Sequence, residues 1–228
     1  MKFIVIDGLD GCGKHTQAVK LIETLEARGK KVLFIDYPVY GSKGCVLVES
    51  YLHGELSNTP EGVNAYASSL FYAMDRYYDM KCGALSQLFK QSAETAYDFV
   101  VADRYTISSA ILQAAKVAPE KRKEFCDWLF HTEYDLLELP KPDVCVYLKL
   151  ENEVAQKLMT QRYKGKETKK DLHESAKGFL AKCYDTGIWA ANEYGWRVLD
   201  CTTEDKKGIR NVDEIQSALC AMLSDVID

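Results

Sequence analysis

The apolar run Phe3-Ile4-Val5-Ile6 passes through Asp7 directly into Gly8-Leu9-Asp10-Gly11-Cys12-Gly13-Lys14-His15-Thr16, and a helical pattern follows from Gln17 to Arg28, closed by Gly29. A strand, a glycine-rich turn and a helix in this order constrain the fold more than any other feature of the chain. Glycines at 8, 11 and 13 let the backbone curl so that successive N–H groups point inward at an anion, Lys14 adds a mobile positive charge, and the helix start adds its dipole. Residues 8–16 therefore read as a cradle for nucleotide phosphates. One position departs from the usual pattern. Ser or Thr normally follows the lysine as a Mg²⁺ ligand, whereas here His15 takes that place and Thr16 comes next. Imidazole is a poor ligand for so hard an ion. Three readings stay open: Thr16 substitutes, carboxylates and phosphate hold the metal, or metal-dependent catalysis is impaired.

Periodicity alternates between strand and helix, with strands expected near 2–7, 31–36, 98–103, 143–149 and 196–201. Alternation of this kind implies an α/β fold with a parallel sheet. Runs such as Phe99-Val100-Val101-Ala102 and Val144-Cys145-Val146-Tyr147-Leu148 are apolar on both faces, as expected where helices cover both sides. Functional groups then gather at the carboxyl ends of the strands. Asp7 to Lys14 follow the first strand, Asp36-Tyr37-Pro38-Val39-Tyr40 the second and Asp103-Arg104-Tyr105 the third.

With 228 residues and 47% apolar content the chain can bury one full core, and no linker or repeat interrupts it, so 1–228 is expected to form a single domain. The net charge of −5 argues against a general nucleic-acid binder. No apolar segment approaches membrane-spanning length, and the N-terminal run is too short for a signal-peptide core, so a cytoplasmic location is expected. Eight cysteines without metal-binding spacing read as reduced and mostly buried, with Cys12 as the exception that its loop position would expose to alkylation.

The phosphate loop, Tyr37-Pro38-Val39-Tyr40, Phe71-Tyr72-Ala73-Met74-Asp75-Arg76, Asp103-Arg104-Tyr105-Thr106-Ile107-Ser108 and Gly195-Trp196 stand in the order and spacing of thymidylate kinases, and the chain resembles that family over essentially its whole length. The resemblance implies a three-layer P-loop nucleoside-monophosphate kinase with about five parallel strands. It implies transfer of the γ-phosphate of ATP to dTMP with Mg²⁺, and a homodimer.

The same resemblance gives Arg104 the docking of the acceptor's phosphate, a task suited to a planar guanidinium fork. A surface pair with Asp103 is the alternative. Asp10 would contact the acceptor's sugar and phosphate region, and Asp10, Thr16 and Asp103 are the candidate Mg²⁺ holders, with helix capping the alternative for the aspartates. Asn64 to Met80 reads as one long helix in which Tyr72 and Arg76, four apart, share a face. The resemblance has Tyr72 stack on the base and Arg76 donate to a base carbonyl, while Phe71 is expected in the core. Tyr37, Pro38 and Tyr40 would form another wall, and Ser108 matches a small polar residue near the base or a local cap. Val39 replaces an arginine of some members, and Leu112 stands where an aromatic or amide often limits space near the sugar's 2′ carbon.

The cationic stretch Gln161-Arg162-Tyr163-Lys164-Gly165-Lys166-Glu167-Thr168-Lys169-Lys170 reads as a lid over about 161–171. Gly11 occupies a loop position that is arginine in one branch of the family, so Arg162 is the candidate to bring positive charge onto the transferring phosphoryl group. The catalytic set is then Lys14, Asp10, Arg104 and Arg162. The same chemistry on dUMP or another monophosphate, and a nucleotide-binding sensor or degenerate kinase suggested by His15, are the competing functions.

Overall fold

In a computed structural model, all residues are described except 91, 93–95 and 163–170. In chain order the elements are β1 (Lys2–Gly8), α1 (Lys14–Ala27), β2 (Val32–Asp36), α2 (Val46–Leu52), α3 (Ala65–Cys82), β3 (Phe99–Asp103), α4 (Thr106–Leu112), α5 (Arg122–Phe130), β4 (Val144–Lys149), α6 (Asn152–Arg162), α7 (Leu172–Ser175), α8 (Lys177–Glu193), β5 (Arg197–Asp200), α9 (Val212–Met222) and α10 (Ser224–Ile227). Among the described residues the five strands form one parallel sheet in the order β2-β3-β1-β4-β5. Strand bounds agree with the periodicity to within one residue.

The two-residue period of the central strand explains the layers. Ile4 and Ile6 point to one face and pack with Val101, Val146, Leu21 and Leu219. Phe3 and Val5 point to the other and pack with Val100, Ala102, Met80 and Ile107. Both faces of β1 are thus buried, which is why its sequence shows no polar alternation. After β1 the chain crosses to β2 and then inserts β3 between them, while β4 goes to the opposite side. The cleft at the carboxyl ends of β1 and β3 sits at this switch point.

Local chemistry sets the helix ends. α1 starts at Lys14 rather than Gln17, because Gly13 at φ 86° lets the loop turn straight into helix. Asn64 caps α3, its Oδ1 accepting from the Ala67 N–H at 2.9 Å. α3 runs two residues past the expected Met80, to Cys82, where the Asp79 carboxylate takes the Ala84 N–H at 2.7 Å. After α5 the chain makes a wide π-helical turn over His131–Leu136 that points Glu133 inward, fully buried. Phe71, expected in the core, is half-buried against a small cluster around Tyr51 and Val48.

Cys12 corrects the expectation of an exposed thiol. It is fully buried beneath the loop and joins the Ile4 and Ile6 cluster, and burial pushes its thiol up. The loop's tight curl turns this side chain inward against β1, and a Cβ on Gly8 would stand 2.7 Å from its Sγ.

Two glycines of α8 give a paired test of packing. A Cβ on Gly187 would lie 2.5 Å from the Tyr147 hydroxyl on β4, whereas at Gly178 no atom of the described residues lies within 4 Å. Gly187→Ala is expected to destabilise the fold by about 1–3 kcal/mol through overpacking. Gly178→Ala is expected to leave it unchanged or stabilise it by up to about 1 kcal/mol. Urea unfolding of both variants beside the parent chain reads the difference.

Candidate active site

The phosphate loop has the curl its glycines promise, with Gly11 at φ 89° and Gly13 at φ 86°. Gly8 is required by close approach, since a Cβ there would stand 2.5 Å from the Leu148 carbonyl oxygen. Lys14 is buried, and its Nζ donates to the Leu9 carbonyl at 3.1 Å and to Asp10 at 3.4 Å. Leu9 itself is buried, so its carbonyl is a fixed anchor for the lysine.

Arg104 closes over the same loop. It takes φ +65° at the end of β3, a left-handed conformation that costs a non-glycine residue about 1 kcal/mol or more. The turn aims its guanidinium back at β1. Nη2 pairs with Asp10 Oδ1, and Nη1 lies 3.6 Å from Asp7 Oδ1. The surface pair with Asp103 weighed from the sequence is replaced by this inward pairing. Burial would raise the Asp10 carboxyl, but Arg104 and Lys14 outweigh it and hold the group well below the usual range. Asp7 is deeper, and there burial prevails and pushes its carboxyl up despite Arg104. The Gly8 N–H at 2.7 Å and the Ser108 hydroxyl at 2.5 Å both donate to Asp7. Ser108 does not cap α4; its hydroxyl proton goes to Asp7, and the side chain lines the cleft beside Arg104.

Beyond Arg104 opens a cleft of about 900 Å³ lined by Asp10, Tyr37, Pro38, Tyr40, Tyr72 and Arg76 among others. Tyr72 and Arg76 do share a face, as their four-residue spacing requires. Tyr37 lends only its ring, since its hydroxyl donates to Asp79 at 2.8 Å. Tyr40 stands exposed at the rim. Arg76 is held in a way its spacing did not reveal. Its Nε donates to Glu133 Oε2 at 2.7 Å and its Nη2 to Oε1 at 2.5 Å, with both residues buried. Thr106 donates to the same carboxylate at 2.7 Å. Burial alone would lower the guanidinium, and paired Glu133 raises it instead. Among the described residues no hydrogen bond occupies Nη1, the nitrogen left to meet a ligand.

The opposite wall comes from the start of α7. Asp171 caps it, accepting from the Glu174 N–H at 2.8 Å, and Asp171, Leu172 and His173 line the cleft. Burial pushes the Asp171 carboxyl up to about 6. His173 Nε2 lies 2.8 Å from the Tyr51 hydroxyl, which also receives Lys116 Nζ at 2.8 Å. Burial and Lys116 push the His173 imidazole down to about 3, so it is neutral. The expected lid falls largely on 163–170, outside the described residues. Arg162 ends α6, and its side chain also lies outside them.

The expected metal holders separate. Asp10 is spent on Arg104 and Lys14, and Thr16 is exposed on α1, about 100° around the helix from His15. Asp103, instead, stands with His15 and Asp36, their ligand atoms all within 4.8 Å of one another. The carboxylates of this group suit Mg²⁺; its imidazole does not. Asp7, Asp36, Glu133 and His173 were not among the sequence candidates, and of these Asp7 and Asp36 carried a signal, their places at the ends of strands.

A parallel sheet in this order, a phosphate loop after its central strand and an arginine crossing that loop above an aromatic-walled cleft define a P-loop nucleotide kinase. Residues 6–195 match the family model described as thymidylate kinase. The chain is 34% identical over 153 residues to thymidylate kinase from Mycobacterium tuberculosis, covering 67% of each chain. It is 28% identical over 213 residues to a probable thymidylate kinase from Staphylothermus marinus, covering 93% of each. The fold is shared with thymidylate kinase from Candida albicans at a TM-score of 0.65 and 21% identity, covering 98% of this chain and 91% of that one. The chain belongs to the thymidylate kinase family.

The Lys116 site predicts a pH dependence of stability. Burial pushes this amine down to about 7 from an ordinary 10.5. Between those values the unfolded chain binds the extra proton, so the contribution to stability rises with pH across that window. Chemical unfolding at pH 7 and pH 10 should show a gain in the parent chain relative to Lys116→Met, in which this part of the slope is lost.

Proposed function

We propose that the chain phosphorylates dTMP to dTDP by direct in-line transfer of the γ-phosphoryl group of ATP. The observation that carries this reading is one cleft whose lining includes Asp10 and Arg104 from the phosphate-loop side together with Tyr72 and buried Arg76. A monophosphate nucleotide matches it end for end. Arg104 leaves Asp10 to grip the acceptor's phosphate, Tyr72 offers a flat face to the base, and Arg76 Nη1 donates to a base carbonyl. Asp10, once released, meets the sugar and phosphate region. Residues 8–16 hold ATP, Lys14 follows the transferring phosphoryl group, and Arg162 is the cation the lid supplies. A divalent ion bound with ATP neutralises phosphate charge, and Asp10, Thr16 and Asp103 are the side chains the sequence offers to hold Mg²⁺.

On this reading residues 1–228 work as one catalytic unit, cytoplasmic and homodimeric, with ATP and dTMP as partners and neither nucleic acid nor membrane. The net charge of −5 supports the exclusion of nucleic acid. Among the described residues no helix is long and apolar enough to cross a membrane.

ADP release with ATP, Mg²⁺ and a panel of dTMP, dUMP, UMP, dCMP and dGMP tests the proposal. Rapid turnover on dTMP is expected, with a loss of about a hundredfold or more in kcat/KM for Arg104→Ala. Glu133→Gln is expected to raise KM for dTMP about tenfold with little change in kcat, because it disturbs Arg76 and not the phosphate loop. Preference for another monophosphate would reassign the acceptor. Silence on the whole panel with ATP still bound would identify a sensor or degenerate kinase.

A further inference from the structure

The carboxyl ends of β2 and β3 place two acids side by side. Asp36 and Asp103 are register partners in the parallel ladder, and like charges so placed repel. The cations nearby are engaged elsewhere: Lys14 donates to Leu9 and Asp10, and Arg104 pairs with Asp10 and Asp7. Among the described residues only His15 pairs with the two acids. Its Nδ1 lies 3.3 Å from Asp103 Oδ2 and 3.8 Å from Asp36 Oδ2. Asp103 is 5% exposed, and its Oδ1 is buried with no hydrogen-bond partner among the described residues. A buried carboxylate oxygen without a partner is costly unless something answers it.

Two ligand atoms about 2.1 Å from a common ion are about 3.0–3.4 Å apart at octahedral or tetrahedral angles. The His15–Asp103 separation falls in that range, and His15–Asp36 needs a small rotation of one exposed side chain. The Phe34 ring packs against the imidazole, 5.9 Å between centroids and edge-on. One neutral imidazole and two carboxylates are a donor set for Mn²⁺, Co²⁺ or Zn²⁺, and imidazole is the ligand that Mg²⁺ accepts least readily.

We propose that His15, Asp36 and Asp103 form a site for a divalent transition-metal ion at the start of α1, with His15 Nδ1 bound directly to the metal. The ring's Nε2–H then faces solvent. The site consists of this chain's own side chains, so it stands whether or not dTMP is the acceptor.

The probe is Mn²⁺ alone, added to the full chain without nucleotide. Continuous-wave electron paramagnetic resonance counts bound ions, and pulsed measurements detect ¹⁴N modulation from a coordinated imidazole. One bound Mn²⁺ with ¹⁴N coupling is expected. His15→Thr should abolish the coupling and weaken binding about tenfold or more, and Asp36→Asn should weaken binding similarly while retaining the coupling. His131→Ala, at an exposed histidine paired with Asp135, should change neither. His15 and Asp36 are exposed, and circular dichroism will verify that both variants fold. Bound Mn²⁺ without ¹⁴N coupling, coupling that survives His15→Thr, or no binding at millimolar Mn²⁺ would each overturn the proposal.

Discussion

The pairing of Arg104 with Asp10 and Asp7 is the contact on which the rest of the site is arranged. It joins the end of β3 to the end of β1 and the first turn of the phosphate loop, three segments distant in sequence. Asp7 is fully buried at the exit of the central strand, where a carboxylate without nearby positive charge and donors is strongly disfavoured. Arg104, Ser108 and the Gly8 N–H supply those partners. The left-handed backbone at Arg104 is the local cost of aiming the guanidinium inward instead of along the strand, a cost offset by the charge it meets. An acceptor phosphate has the same sign and fork geometry as Asp10, so the resting pair already presents the arginine in the form such a ligand needs.

At the far end of the cleft a second guanidinium is fixed in a different manner. Arg76 gives two nitrogens to Glu133 and is closed from solvent, so its orientation is set by the fold and not by a ligand. Breaking one partner of such a buried pair costs about 3–5 kcal/mol in general, which makes the geometry stiff. Arg104 is adjustable and pairs with acids that a substrate can displace; Arg76 is rigid and retains a single nitrogen for recognition. On the proposed function this contrast assigns Arg104 to the acceptor's phosphate and Arg76 to its base.

How much of this was legible depended on sequence distance. The loop, the five strands and the shared face of Tyr72 and Arg76 follow from patterns within a few residues, and those agree with the structure. Glu133 lies 57 positions from Arg76 in a π-helical turn, where neither apolar period applies. Ser108 gave a helix-start signal, yet its hydroxyl serves Asp7 across 101 positions. Cys12 was misread because membership of a loop says nothing about which way one side chain turns, and here the tight curl turns it into the core. His173 and Lys116 meet at Tyr51 from segments that no local pattern connects.

The histidine after the loop lysine brings an imidazole to the two acids at the mouth of the cleft. Among the described residues His15 is the side chain that pairs with Asp36 and Asp103, since Lys14 and Arg104 are committed to Asp7, Asp10 and the Leu9 carbonyl. His15 answers both acids from one exposed ring, and its replacement by a hydroxyl at the same backbone position would shorten the reach across the gap. The carboxylates of β2 and β3 and the imidazole of α1 therefore form one group of facing donor atoms. In it the residue that departs from the family pattern faces Asp36 and Asp103 as well as belonging to the phosphate loop.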